Sequence, residues 1–352
     1  MLKKIISISA LLAVGLFLVV NELPPSKSAG EDMGITNGWS QRPIRLERTE
    51  RLRRLRELLG RQDKEENDYM GSGDTKLQKL GTGNKQREYL LYLPVRDDLN
   101  NLPLVIALHG GQTNGGRLMK TSGLNKLADK EGFIVAYPNA YNKNWNDGRK
   151  QLANGPDDVE FINNLIEELS SRRNINTRKV YVIGISNGSF MAQRLACELS
   201  DRLAAISVVA GAMPYDLKNM CRPKVALPVI MFAGTADKFI PWNGGEAERG
   251  KGGKLFSPIE TARWWAKENN CKSTITTNVE SVDASIGDDK TYVKMTRFSN
   301  CNGQNKVVFY TIVNGGHTWP GGNAQPEWLV GKTTFRINAS KLSWDFFREF
   351  SR

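Results

Sequence analysis

KVYVIGISNGSFMAQRLACEL, residues 179 to 199, runs from a β-branched, aromatic stretch into an apolar stretch of helical character through the five residues GISNG. The pattern is G-x-S-x-G, with Ser186 between Gly184 and Gly188. Its physical content is steric. A serine held at the tip of a tight strand-to-helix turn needs neighbours without side chains, and the helix start behind it favours negative charge. The pentapeptide alone is common; the strand before it and the helix after it make Ser186 a candidate nucleophile.

Outward from this turn the chain alternates. LPLVIALHG (102 to 110), GFIVAYPNA (132 to 140), LAAISVVAGA (203 to 212), PVIMFAGTAD (228 to 237) and NKVVFYTIVNGG (305 to 316) read as apolar strands. Between and after them, residues 116 to 131, DDVEFINNLIEELSSRR (157 to 173), a segment containing ETARWWAKENN (260 to 270) and ASKLSWDFFREF (339 to 350) read as helices. KLQKL and REYLLYLPV precede them as a strand pair joined by GTGNK. Apolar strands separated by helices predict an α/β fold, a mostly parallel central sheet with helices on both faces.

A serine needs a base, and the chain has two histidines, His109 and His317. In α/β-hydrolases the triad follows the order serine, acid, histidine, which only His317 satisfies. It lies in NGGHTWPGG (314 to 322), after the last predicted strand. Asp237, just past the strand in MFAGTADKFIPW, is the candidate acid; Asp201, Asp216, Asp283, Asp288 and Asp289 sit in more polar or less strand-like surroundings. The glycines of LHGG point to an oxyanion site built from the backbone N–H of Gly111, or of Gln112, together with that of Asn187. His109 reads as a hydrogen-bonding residue that shapes this loop. Trp242, Trp319 and Gln112 are candidates for the substrate pocket, with core packing the alternative for the two tryptophans.

The ordered set LVIALHGG, DDVEFINNLIEEL, VYVIGISNGSFMAQRLACE, FAGTADKFIPWNGG and NGGHTWPGG resembles the extracellular esterases that include polyhydroxybutyrate depolymerase-like and feruloyl esterase-like members of the α/β-hydrolases. The likeness covers about residues 77 to 350. It implies Ser186 as nucleophile, Asp237 as orienting acid, His317 as base, and Gly111 and Asn187 as oxyanion donors. It also implies secretion with disulfides. The chain departs from that pattern in having Gly111 where a cysteine is frequent and Ser189 where a third small glycine is frequent.

The rest of the chain bounds location and partners. MLKK followed by a sixteen-residue, uncharged and largely apolar run (5 to 20) reads as a signal peptide or signal anchor over 1 to 28, and so as export, to the outside or the periplasm. Residues 29 to 76 read as a polar linker. Within it, residues 42 to 61 carry eight Arg against three Glu, with Ile44, Leu52, Leu55 and Leu59 at roughly helical spacing. That basic helix reads as a tether, or as a contact with an acidic envelope polymer or membrane surface. No nucleic-acid motif accompanies the net charge of +12. The esterase domain is expected over 77 to 352. Four cysteines in an exported chain predict two disulfides in one of three connectivities, of which sequential pairing, Cys197–Cys221 and Cys271–Cys301, closes the shortest loops. No metal or organic cofactor is expected. The function expected is hydrolysis of carboxylic esters, either soluble hydroxyalkanoate-type or short-chain esters, or feruloyl or acetyl esters of plant polysaccharide. A non-catalytic envelope-binding protein on the same fold is the alternative from a different class.

Overall fold

The computed structural model describes residues 70–82, 85–247, 251–279 and 289–352. The apolar run at 5 to 20, the basic stretch at 42 to 61 and the competing carboxylates Asp283 and Asp288 lie outside the described residues. All described residues belong to one compact unit. Among them, no helix is long and apolar enough to cross a membrane.

The strands are β1 (Asp74–Thr82), β2 (Lys85–Leu93), β3 (Leu104–Leu108), β4 (Ile134–Pro138), β5 (Val180–Ile185), β6 (Ala205–Val209), β7 (Val229–Gly234), the short pair β8 (Gly245–Glu246) and β9 (Lys254–Leu255), β10 (Ser273–Val279), β11 (Tyr292–Ser299) and β12 (Val307–Val313). Ten of them form one sheet, in the order β1-β2-β4-β3-β5-β6-β7-β12-β11-β10. From β4 to β12 every neighbour is parallel, and an antiparallel pair closes each edge. The inner strands β3, β4, β6 and β7 are buried along their whole length, as a sheet covered on both faces requires.

The helices are α1 (Gly115–Ser122), α2 (Leu124–Glu131), α3 (Asp158–Arg173), α4 (Asn187–Glu198), α5 (Tyr215–Met220), α6 (Pro258–Glu268), α7 (Glu327–Val330) and α8 (Ala339–Phe347). Alternate residues of β3 feed two separate cores. Leu104, Ile106 and Leu108 pack with Ile162 and Leu165 of α3, Leu195 of α4 and Trp265 of α6. Val105 and Ala107 pack with Leu118 of α1, Leu124 of α2 and Trp344 and Phe347 of α8. This is the expected α/β-hydrolase arrangement of helices on both faces.

Two elements depart from the sequence reading. The helix expected over 116 to 131 is two helices, because Gly123 takes φ 66° and serves as the C-cap of α1 and the N-cap of α2. The hairpin β10–β11 falls in a region where no strand was expected. β10 reads STITTNV and exposes most of its length, so it lacks the apolar alternation that marks a half-buried strand. Its threonines and Ile275 were the available signal. Both disulfides pair sequentially: Cys197–Cys221 ties α4 to the end of α5, and Cys271–Cys301 ties the segment before β10 to the loop after β11.

Candidate active site

The loops that follow β3, β5, β7 and β12 meet at the carboxyl ends of the parallel strands, the edge where open α/β sheets bind ligands. Between β5 and α4, Ser186 stands at φ 57°, ψ −124°, a backbone conformation that costs about 1–3 kcal/mol for a residue with a side chain. The flanking glycines are required by close approach. A Cβ on Gly184 would come within 2.2 Å of the Gly188 carbonyl oxygen, and one on Gly188 within 2.2 Å of that of Leu108. Ser189 is fully buried, and its hydroxyl donates to the Ser186 carbonyl at 2.6 Å. It therefore braces the turn from within.

His317 is placed by the loop after β12. Gly316 N donates to Lys332 O (2.9 Å) and His317 N to Val330 O (2.6 Å), so this loop lies against residues 330–332. A Cβ on Gly316 would sit 2.1 Å from Val330 O, which is why the approach needs glycine. His317 Nδ1 lies 2.8 Å from Asp237 Oδ2, with the Asp237 side chain 2% exposed and that of His317 11%. The other carboxylate oxygen of Asp237 accepts from Phe239 N (2.7 Å) and Ile240 N (2.9 Å), which fixes its direction. Among the described competitors, Asp201 meets Lys224, Asp216 the backbone of Lys150, and Asp289 the backbone of Thr291 and Phe335.

His109 is a buried structural group. Its Nε2 accepts from Ala140 N (3.0 Å), so Nδ1 carries the proton and donates to Gly110 O (2.8 Å). Burial lowers its pKa to about 4, and the ring is neutral at ordinary pH. Gln112 N donates to Lys143 O at 2.8 Å, so that N–H is committed and Gln112 is excluded as the alternative oxyanion donor. The N–H of Gly111 meets no acceptor among the described residues. Asn187 is the first residue of α4, where an N–H has no intrahelical partner.

Ser186, His317, Gly111, Gln112 and Asn187 line one cavity of about 630 Å³, walled by apolar residues that include Ile185, Phe190, Phe239 and Leu329. The two tryptophan expectations need correction. Trp319 is 1% exposed and its indole N–H donates to Ser340 Oγ at 3.0 Å, while Trp242 packs over Phe309 at 6.3 Å between ring centroids. Neither lines the cavity: Trp319 fills one of the two cores, and the half-buried Trp242 packs against the other. A second depression, of about 670 Å³, is lined by Lys126, Lys130 and Lys341 and contains neither Ser186 nor His317.

Sequence reasoning missed a buried network beneath Asn187. The Asn187 side chain donates to Asp147 Oδ2 (2.6 Å) and Trp145 O (3.1 Å) and accepts from Trp145 N (2.8 Å). Arg149 grips Asp147 through Nε (3.1 Å to each carboxylate oxygen) and through its NH2 group (2.8 Å), and reaches Gly252 O at 2.5 Å. The signal was NWNDGR (144 to 149), an Asp and an Arg two apart in a loop that has no periodicity to draw attention to it.

Residues 87–220 match the family described as esterase PHB depolymerase. The protein named "Putative esterase NocK" of Nocardia uniformis subsp. tsuyamanensis is 30% identical over 257 residues, covering 69% of this chain and 73% of NocK. The chain belongs to the PHB depolymerase esterase family. It is accordingly a carboxylic ester hydrolase. Feruloyl esterase B of Piromyces equi is 26% identical over 257 residues, 71% of this esterase but only 42% of that longer protein. The acetyl xylan esterase from Aspergillus awamori superposes with a TM-score of 0.54 at 16% identity, covering 78% of this esterase and 99% of that chain, a likeness of fold.

Proposed function

We propose that this esterase works through Ser186 as nucleophile, His317 as general base and Asp237 as the carboxylate that orients it. The reading is carried by the 2.8 Å contact between His317 Nδ1 and Asp237 Oδ2, on a cavity whose wall also contains Ser186. With Nδ1 held by Asp237, Nε2 is the nitrogen left to take the Ser186 proton. The serine oxygen bonds to the ester carbonyl carbon, and the carbonyl π pair moves onto oxygen, where the N–H groups of Gly111 and Asn187 hold it. Each such donor is worth about 3–4 kcal/mol in the transition state. Collapse expels the alcohol with the proton from His317. Water then gives a proton to Nε2, attacks the acyl-enzyme and releases the acid, and Ser186 recovers its proton.

Soluble hydroxyalkanoate-type and short-chain esters are the proposed substrates, supported by the family match and by a cavity of about 630 Å³. Feruloyl or acetyl esters of plant polysaccharide form a second reading, supported by the relative named feruloyl esterase B. We read the chain as exported, on the strength of the apolar run at 5 to 20 and two disulfides, with residues 77 to 352 as the catalytic body. The basic stretch at 42 to 61 would tether it or touch the envelope. Ser186→Ala is expected to abolish p-nitrophenyl butyrate hydrolysis with the circular dichroism spectrum unchanged; retained turnover would overturn the assignment. Rates on 3-hydroxybutyrate oligomers, methyl ferulate and acetylated xylan then choose between the two substrate readings.

A further inference from the structure

Among the described residues, the charge lining the candidate active site is one-sided: Arg117, Arg149 and Lys251 contribute to the cavity wall, and no described aspartate or glutamate does. Arg149 is neutralised by Asp147 behind it. Arg117, on α1, and Lys251, before β9, are exposed, and neither forms an ion pair with a described residue. Elsewhere on the surface, cations commonly have a carboxylate at hand, as in Lys224–Asp201, Arg194–Glu198 and Lys306–Glu349. The two carboxylates just behind the wall are already engaged: Asp237 by His317 and two backbone N–H groups, Asp147 by Arg149 and Asn187. The N-terminus of α4 also opens here at Asn187 and adds partial positive charge. A cleft with low-dielectric walls concentrates such a field and draws in ligands of opposite sign.

Resting on the serine-esterase reading above, we infer that the preferred ester carries a second, anionic group: a carboxylate joined to the scissile carbonyl by a short apolar chain. Ile185, Phe190, Phe239 and Leu329 take the methylenes, and Arg117 and Lys251 meet the carboxylate. Half-esters of dicarboxylic acids and oligoesters with a free acid end have this chemistry; neutral acetyl and feruloyl esters of sugars do not.

The test uses mono-p-nitrophenyl adipate and suberate, each against the same ester with its free carboxyl capped as the primary amide. At about 20 mM salt the full chain is expected to show a kcat/KM ratio, charged over capped, of about ten or more. The ratio should shrink as salt rises to about 500 mM, since exposed charges are screened. In the double variant Arg117→Gln/Lys251→Gln the ratio should fall to about one. A wild-type ratio at or below one overturns the inference, and so does a raised ratio that survives in the double variant. Ser186→Ala, assayed on the capped esters, separates the two levels. If those esters are cleaved in a Ser186-dependent way at a ratio of one, the esterase mechanism stands and the charge preference falls. If Ser186→Ala still cleaves them, the mechanism itself falls.

Discussion

At Asp237 one carboxylate serves two purposes, and the consequences separate experimentally. One oxygen is fixed by the N–H groups of Phe239 and Ile240 and the other faces His317 Nδ1. In Asp237→Asn the side-chain oxygen can still accept the backbone bonds, while the amide disfavours the tautomer that leaves Nε2 free. Activity is expected to fall about 10⁴-fold, measured as kcat on p-nitrophenyl butyrate, with little change in melting temperature. His109 gives the protein an acid response of its own. Its folded pKa is about 4 against an unfolded value near 6.5, so between these the unfolded chain binds a proton that the fold excludes. Its contribution to stability is therefore complete above about pH 6.5 and is lost as pH falls toward 4, amounting to roughly 3 kcal/mol. Urea unfolding at pH 7 and pH 4.5 should show the loss, and His109→Gln should flatten it.

At the level of elements, the site depends on how loops are anchored to strands and helices. The first turn of α4 is tied through Asn187 to Asp147, and Arg149 extends that tie to Gly252 in the loop before β9. In Asp147→Asn, Asn187 loses a charged acceptor and Arg149 is left buried without its counter-ion. Unpairing a buried charge typically costs about 3–5 kcal/mol, so the melting temperature should drop. Turnover at temperatures below the transition should fall as well, by up to the roughly 10²-fold of a lost oxyanion donor, and in kcat more than in KM. An unchanged kcat in the folded variant would assign the network to stability alone. The α1–α2 break makes a simpler claim: Gly123→Ala, at φ 66°, should cost about 1 kcal/mol in chemical denaturation without changing kcat.

Across the described residues, six parallel strands between two antiparallel pairs carry the loops of the candidate site on one edge, while the disulfides lie in the connections that flank them. The bridged cysteines are 24 and 30 residues apart, so each bond is expected to contribute roughly 3 kcal/mol by restricting the unfolded chain. Thermal melts with and without dithiothreitol should show a lower transition on reduction. Ester hydrolysis should persist below that transition, because no cysteine lines the cavity.

The sequence by itself determined the buried strands, the turn at Ser186 and the order of Ser186, Asp237 and His317; of the three possible cysteine pairings it favoured the sequential one, and the folded chain decided it. These readings follow from local rules: apolar runs of strand length, glycines where a side chain would collide, a fixed order along the chain, and short loop closures. It left unread what depends on distant residues meeting. The exposed β10–β11 hairpin carries no burial pattern, and α1 breaks from α2 because Gly123 is used at a positive φ that its neighbours do not announce. Trp319 and Trp242 sit close in sequence to His317 and Asp237, yet Trp319 fills one core and the half-buried Trp242 packs against the other. Asp147 and Arg149 look like ordinary loop charges until the fold buries them beneath Asn187, some forty residues away in sequence. NGGHTWPGG shows both sides. Its glycines announced a tight approach, but only the folded chain reveals that the surface approached is the backbone of Val330 and Lys332, which turns His317 toward Asp237.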